Sequence, residues 1–248
     1  MRLIVNLELI KGKSIKLDYA HKLQSLIYSN LPENFSKEVH DGGFRGRIDS
    51  KRVYKDINIS KLIPAQYEID KNCLYPKGNI SLYISSSNKE MLEGLLDNLY
   101  FKPSIKIGEN EFVVKPNSHI REFNPGNDKV FKCTTLSPVV YSCNYTENGV
   151  QQSKFLSPMD SGYIDKLVYT LRNKYSAFNT DVPLETIEAM NIGMDISSFN
   201  RRVVRYKNMS YTAYDMDFEL SGSLELIELI YNTGIGSKTA QGFGCIHM

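Results

Sequence analysis

The stretch Ser223-Leu-Glu-Leu-Ile-Glu-Leu-Ile-Tyr-Asn-Thr-Gly-Ile-Gly-Ser-Lys-Thr-Ala-Gln-Gly-Phe-Gly-Cys-Ile246 carries three structural signals in succession. Leu224, Ile227 and Ile230 recur at helical spacing behind Ser221 or Ser223, either of which suits a helix N-cap. Gly234 then fits the αL position that closes a helix, and Phe243-Gly-Cys-Ile246 reads as a strand. Between them two Gly-x-Gly pairs, Gly234/Gly236 and Gly242/Gly244, bracket five residues that include Lys238. Glycine lacks a Cβ, so such a backbone can approach another segment or a phosphate closely. Successive N–H groups form an anion-binding concavity, to which Lys238 adds a point charge. A nucleotide-binding loop fits badly. The Walker pattern needs glycine directly before the lysine, where Ser237 stands, and the dinucleotide fingerprint needs a third glycine where Thr239 stands. A tight helix-to-strand connection and a phosphate contact both stay open from the loop alone.

Working outward, Val130–Thr135 and Val139–Tyr145 look like strands, and Asn148-Gly149 is a hairpin turn signal. Tyr163, Leu167, Val168, Leu171 and Tyr175 recur at helical spacing. Strands follow over Ile192–Ile196, Arg201–Tyr206 and Tyr211–Leu220, the last with Tyr214, Met216, Phe218 and Leu220 on one face. The first half has the same order. Leu3, Val5, Leu7 and Leu9 alternate as in a strand, and Asp18 is placed to cap a helix bearing His21, Leu23, Leu26, Ile27 and Tyr28. A short segment from Phe35 to His40 meets the break Asp41-Gly-Gly43, a basic loop, and strand-like Val53–Ile59. Ile80, Leu82 and Ile84 alternate, Ser87-Asn-Lys-Glu90 is a capping-box pattern opening a helix, and Ile105–Ile107 and Phe112–Val114 are strand-like. Each half reads β-α-β-β-α-β. The expected fold is α+β, two tandem ferredoxin-like (RRM-like) domains over residues 1–124 and 125–248, divided near Asn124-Pro-Gly-Asn127.

Composition narrows the function. The chain has 248 residues, 42% of them apolar, which is ample for two cores. A net charge of +2 gives no strong global field, so a nucleic-acid surface must be local. Cys73, Cys133, Cys143 and Cys245 show no metal-ligand spacing and suit a reducing compartment. No apolar run approaches membrane length, so a cytoplasmic protein without a membrane partner is expected.

The glycine loop, read as Gly-Ile-Gly, five residues with one lysine, then Gly-Phe-Gly, resembles the signature of the CRISPR-associated repeat-processing endoribonucleases (the Cas six type) of the RAMP superfamily. Leu23-Gln-Ser-Leu-Ile-Tyr28 is similar to that family's first helix. Thr135-Leu-Ser-Pro-Val139 is similar to its mid-chain strand, and Phe155-Leu-Ser-Pro158 likewise leads into a long helix. The resemblance spans essentially the whole chain. It implies cutting of precursor CRISPR RNA within its repeats, in service of antiviral defence, without cofactor or metal. The implied partner is repeat RNA, with a CRISPR interference complex and a homodimer as partners the resemblance admits.

Metal-free RNA cleavage uses the adjacent 2′-hydroxyl as nucleophile. It is helped by a base, an acid for the departing 5′-oxygen and a cation for the phosphorane charge. Histidine exchanges protons near neutrality. The resemblance places the histidine at His40, the helix-borne tyrosine at Tyr28 and the lysine at Lys51, where Arg45, Arg47, Arg52 and Lys55 compete for the last role; His21 ranks second as the histidine. For RNA binding the candidates are Gly234, Gly236, Lys238, Gly242 and Gly244 of the loop. Arg201, Arg202 and Arg205 join them in the densest basic stretch of the second half. A single histidine at a helix end is also a common solvated cap, and a charged strand is often only a solvated face. Asp215 and Asp217 lack an evident third ligand, so no metal is assigned.

Overall fold

The computed structural model describes residues 1–40, 42–147 and 150–248, without the side chains of 38–40, 144–147 and 150–153. The first sheet is built on Arg2–Lys11, whose Leu3, Val5 and Leu7 are fully buried while the intervening residues turn to the other face. It pairs antiparallel with Cys73–Ser85 on one side and Asn110–Val114 on the other, and Ile63–Asp70 lies outside Cys73–Ser85. The four main strands thus stand in the order second, third, first, fourth, the ferredoxin-like arrangement. Helices α1 (Ala20–Tyr28) and α3 (Lys89–Tyr100) cover the apolar face through Leu23 and Ile27, and through Met91, Leu92, Leu95 and Leu99. Between them α2 runs over Glu33–His40.

The second half repeats the topology. Val130–Thr135 pairs with Met209–Gly222 and with Ile246–His247, and Ile192–Tyr206 forms the outer edge, again second, third, first, fourth. Helices α4 (Tyr163–Phe178) and α6 (Leu224–Thr233) pack on Tyr214, Met216, Phe218 and Leu220; the short α5 (Leu184–Ala189) joins α4 to the sheet. No helix among the described residues is long and apolar enough to cross a membrane, and the four cysteines carry free thiols.

Several local expectations give way for identifiable reasons. Asp18 does not cap α1, whose N-cap is Tyr19 with no side-chain bond. In the Ser87-Asn-Lys-Glu90 box the cap is Asn88, which accepts from Met91 N at 3.0 Å, because Asp56 already engages the Ser87 hydroxyl and N–H. Ser223 is the N-cap of α6 by position, but no side-chain bond accompanies it. Gly234 closes α6 at φ 72°, ψ 175°, a glycine-only conformation and not the expected αL. The separate strands expected at Ile192–Ile196 and Arg201–Tyr206 are one 15-residue strand with a register shift between Ile196 and Ser198. Val139 and Val140 form isolated bridges ahead of the strand Ser142–Glu147, and the last strand is only Ile246–His247. The hairpin pairs Ser142–Glu147 with Val150–Phe155, and its expected turn Asn148-Gly149 lies outside the described residues.

Candidate RNA-processing site

The two domains meet along α1. Its Leu23 and Ile27 enter the first core, and Ala20, Gln24 and Tyr28 lie along the adjacent edge of the helix, Tyr28 packing against that core as well. Ala20 packs on a small cluster of Val140, Tyr206, Tyr211, Ala213 and Phe243 from the second half. Gln24 Nε2 donates to Ala240 O at 2.9 Å, and the Tyr206 hydroxyl donates to Gln24 Oε1. Tyr28 is half-buried and hydrogen-bonds the Gln24 side chain; burial outweighs that bond and raises its phenol pKa. Burial likewise raises Tyr206, helped by the neighbouring Tyr28 and Tyr211 phenols. Both hydroxyls are therefore protonated at neutral pH and are hydrogen-bonding groups there, not phenolate bases.

At the other end of α1 an open cleft of about 510 Å³ is lined by Asp18, His21, Arg205, Lys207 and Asn208. The His21 ring meets Tyr206 edge-on with centroids 6.4 Å apart. His21, Gln24 and Tyr28, at i, i+3 and i+7, form one stripe roughly 10 Å long, which Tyr206 of the second domain meets at His21 and Gln24.

The glycine loop is held from both domains. Asn58, fully buried on the first sheet, donates through Nδ2 to Thr239 O and Phe243 O at 3.1 and 3.0 Å. Ser237 N donates to Val140 O, and Ile235 N to Gly244 O. A Cβ on Gly244 would lie 1.9 Å from Ile235 O, and one on Gly236 2.6 Å from Val140 O. Gly234 and Gly244 are buried, so they shape the loop and do not present a surface. Lys238 is exposed at its apex in the left-handed region, φ 62°, with Nζ 5.1 Å above the Tyr211 ring.

Arg201, Arg202 and Arg205 are all exposed, but strand alternation splits them. Arg202 Nε pairs with Asp215 Oδ2 at 2.7 Å, whereas Arg201 and Arg205 lie on the opposite side of the strand. Ser198 donates to Asp217 at 2.7 Å, and no metal-holding group of three or more ligands occurs among the described residues.

The sequence candidates for the cut are only partly drawn together. His40 ends α2, and its side chain lies outside the described residues. Lys51 is exposed, and its N–H closes a local turn on Asp49 Oδ1. That loop is docked on α4, where Asn173 Oδ1 accepts from Ile48 N and Asp49 N. Arg52 reaches Thr170, and Arg47 reaches Asn179 O and Val182 O. Of the competing cations, Lys55 points back to the break, donating to Gly42 O at 3.0 Å. Gln24, Asn58 and Tyr206 had no motif to announce them. The i, i+3, i+7 spacing of His21, Gln24 and Tyr28 was the available signal.

A buried lysine supports this junction. Lys174 of α4 is 3% exposed and donates to Thr233 O at 2.7 Å and Gly234 O at 3.3 Å, where α6 enters the loop. Burial outweighs attraction by Asp56 and lowers its pKa to about 7 from 10.5. Between these values the unfolded chain holds a proton that the folded one lacks, so Lys174 makes stability rise with pH across pH 7 to 10.5. Urea unfolding at pH 7, 8 and 9 should show wild type gaining about 1 kcal/mol per pH unit over Lys174→Met. A difference that does not change with pH would show that the ammonium is retained in the fold.

The chain thus carries two ferredoxin-like units that meet along α1, with a glycine loop between the last helix and the last strand. Residues 14–118 match the family model of the CRISPR-associated protein Cas6 N-terminal region, and residues 121–248 that of the Cas6 C-terminal region. The chain belongs to the Cas6 family. It is 29% identical over 189 residues to a CRISPR-associated endoribonuclease-like protein Cas6 of Pyrococcus furiosus, covering 75% of this chain and 76% of that one. With CRISPR-associated endoribonuclease Cas6 1 of Methanocaldococcus jannaschii it shares 26% identity over 249 residues, 99% and 92% of the two chains. The solved structure of a RAMP protein binding different RNA substrates superposes with a TM-score of 0.82 at 24% identity, over 99% of this chain and 98% of that one.

Proposed function

We propose that the chain is an endoribonuclease that cuts precursor CRISPR RNA within its repeats, releasing guide RNAs. The observation that carries this is the match to the Cas6 models in both halves of the chain. The 2′-hydroxyl at the cut attacks the adjacent phosphorus, leaving a 2′,3′-cyclic phosphate and a 5′-hydroxyl, without a metal ion. His40 transfers the proton, Tyr28 orients the ribose through its protonated hydroxyl, and Lys51 stabilises the phosphorane charge; Lys55, beside Gly42, is the rival cation.

Repeat RNA binds Arg201, Arg205 and the cleft at His21, with Arg202 contributing less because Asp215 holds it. It reaches Lys238 and the half-exposed Gly236 and Gly242 of the loop, whose shape Gly234 and Gly244 maintain. The two domains divide near Asn124-Pro-Gly-Asn127, into residues 1–124 and 125–248. A cytoplasmic setting, uptake of the product by a CRISPR interference complex and a homodimer complete this reading.

The test is incubation of the purified protein with its host's repeat RNA in excess chelator. A single cut per repeat with a cyclic-phosphate end is expected. Intact RNA would reject the catalytic reading. Since one relative is described as endoribonuclease-like, that result with retained binding would favour a non-catalytic RAMP subunit that holds repeat RNA.

A further inference from the structure

We infer that Gln24 is the positioning residue that aims the Tyr28 hydroxyl at the RNA, with Tyr206 as its fixed counterpart in the other domain. This rests on the endoribonuclease reading, in which Tyr28 touches the ribose. The side-chain amide has two chemically different ends, and its surroundings decide which faces where. Ala240 O only accepts, so the end 2.9 Å from it is the NH₂ group. Oε1 is thereby turned to Tyr206, whose hydroxyl donates to it. The Tyr28 hydroxyl is bonded to the same amide. Two phenols from two domains therefore converge on one side chain, and that side chain is oriented by the glycine loop.

The loop is a firm anchor. The carbonyls of Thr239, just before Ala240, and of Phe243, three residues after it, are gripped by buried Asn58, and Ser237 N is tied to Val140 O. Tyr206 is 6% exposed and ends the strand that carries Arg201 and Arg205, next to the turn residue Lys207. RNA held by these cations and by Lys238 thus sits on the two elements that orient Gln24. The bond to the amide restricts the directions the Tyr28 hydroxyl takes before substrate arrives. Gln24 itself neither gains nor loses a proton.

The experiment is a cycle of Gln24→Met, Tyr28→Phe and the double variant, measured in single-turnover cleavage. Affinity is read separately with repeat RNA carrying a 2′-deoxy nucleotide at the cut, which binds but cannot react. Gln24→Met keeps side-chain length and helix propensity while removing both hydrogen-bonding ends. It should lower the cleavage rate constant roughly 10-fold, leave Kd within about 2-fold, and lower the rate no further in the Tyr28→Phe background. Tyr206→Phe, which deletes one hydroxyl and keeps the packed ring, provides a second route if Gln24→Met fails to fold; its loss should be smaller and also vanish in Tyr28→Phe. Equal losses with and without the Tyr28 hydroxyl, or a loss confined to Kd, would overturn the role. Wild type that cuts with Gln24→Met at full rate overturns this role alone; wild type that binds and never cuts overturns the endoribonuclease reading and this role with it.

Discussion

Gly244→Ala is expected to leave the second domain largely unfolded at temperatures where wild type is stable, whether or not RNA is present. The new methyl group would sit 1.9 Å from Ile235 O, a backbone atom with no rotamer to escape into. Relief requires the loop to open. That separates Ile235 N from Gly244 O, now 2.9 Å, and Gly244 N from Pro138 O, now 3.0 Å. Each lost bond costs about 0.5–1.5 kcal/mol, overpacking about 1–3, and a φ of +65° for a residue with a Cβ about 1–2. The sum is a large part of a typical domain's stability of about 5–15 kcal/mol, and the melting temperature should drop by roughly 10 °C or more.

Gly242→Ala is the informative control. Its φ of +92° is strained too, but the nearest atom to a new Cβ is Ala20 Cβ at 3.8 Å. It should fold, with a much smaller loss. If the loop meets RNA, Gly242→Ala weakens repeat binding in a folded protein. Equal melting curves for Gly244→Ala and wild type would mean that Gly244 does not pack against Ile235 O.

This contrast marks how far the chain could be read without coordinates. Alternating apolar residues in Leu3–Leu9 and Tyr214–Leu220, and helical spacing in α3, α4 and α6, are local signals that fix both units except the first unit's second strand, expected at Val53–Ile59, where the structure has only the short pieces Val53–Tyr54 and Asn58–Ile59. The strand Ile63–Asp70 escaped because Pro64 and the polar run around Gln66 obscure its period. Its turn, Lys71-Asn72, takes positive φ at both central residues, 45° and 64°, without the glycine that announces such turns. Two readings of the glycine loop remained open for a different reason. Whether a glycine is there for a neighbour or for a ligand depends on residues 58, 138 and 140, far away in sequence. Gln24 has the same difficulty. Its partners Tyr206 and Ala240 belong to the other domain, and on a helix edge a lone glutamine looks like solvated surface.

The largest functional effect is expected from His40→Ala, which should slow single-turnover cleavage about 10²–10⁴-fold, the usual contribution of a proton-transfer residue, with little change in the affinity for repeat RNA. The argument is chemical. Expelling a 5′-alkoxide from a phosphorane needs a proton donor that is regenerated near neutral pH, and imidazole is the side chain whose ordinary range meets that need. Of the four histidines, His119 is exposed with Nδ1 3.0 Å from Asn117 O, and His247, its pKa lowered by burial and then by Arg2 and Arg121, ends the far sheet. His21 lies in the cleft with Arg205 and Lys207, cations of the kind that hold phosphate. The two candidates are therefore separable by which constant moves: His21→Ala should raise Kd, while His40→Ala should lower the rate constant. The cation is distinguished by the same measurement. Lys51→Ala and Lys55→Ala should differ, since Lys55 Nζ donates to Gly42 O just after α2 whereas Lys51 is exposed on the loop that turns on Asp49, and the one that completes the site lowers the rate constant without changing Kd. Should His40→Ala cut at the wild-type rate while His21→Ala does not, proton transfer belongs to the α1 stripe, and Tyr28 works beside His21 on the same helix face.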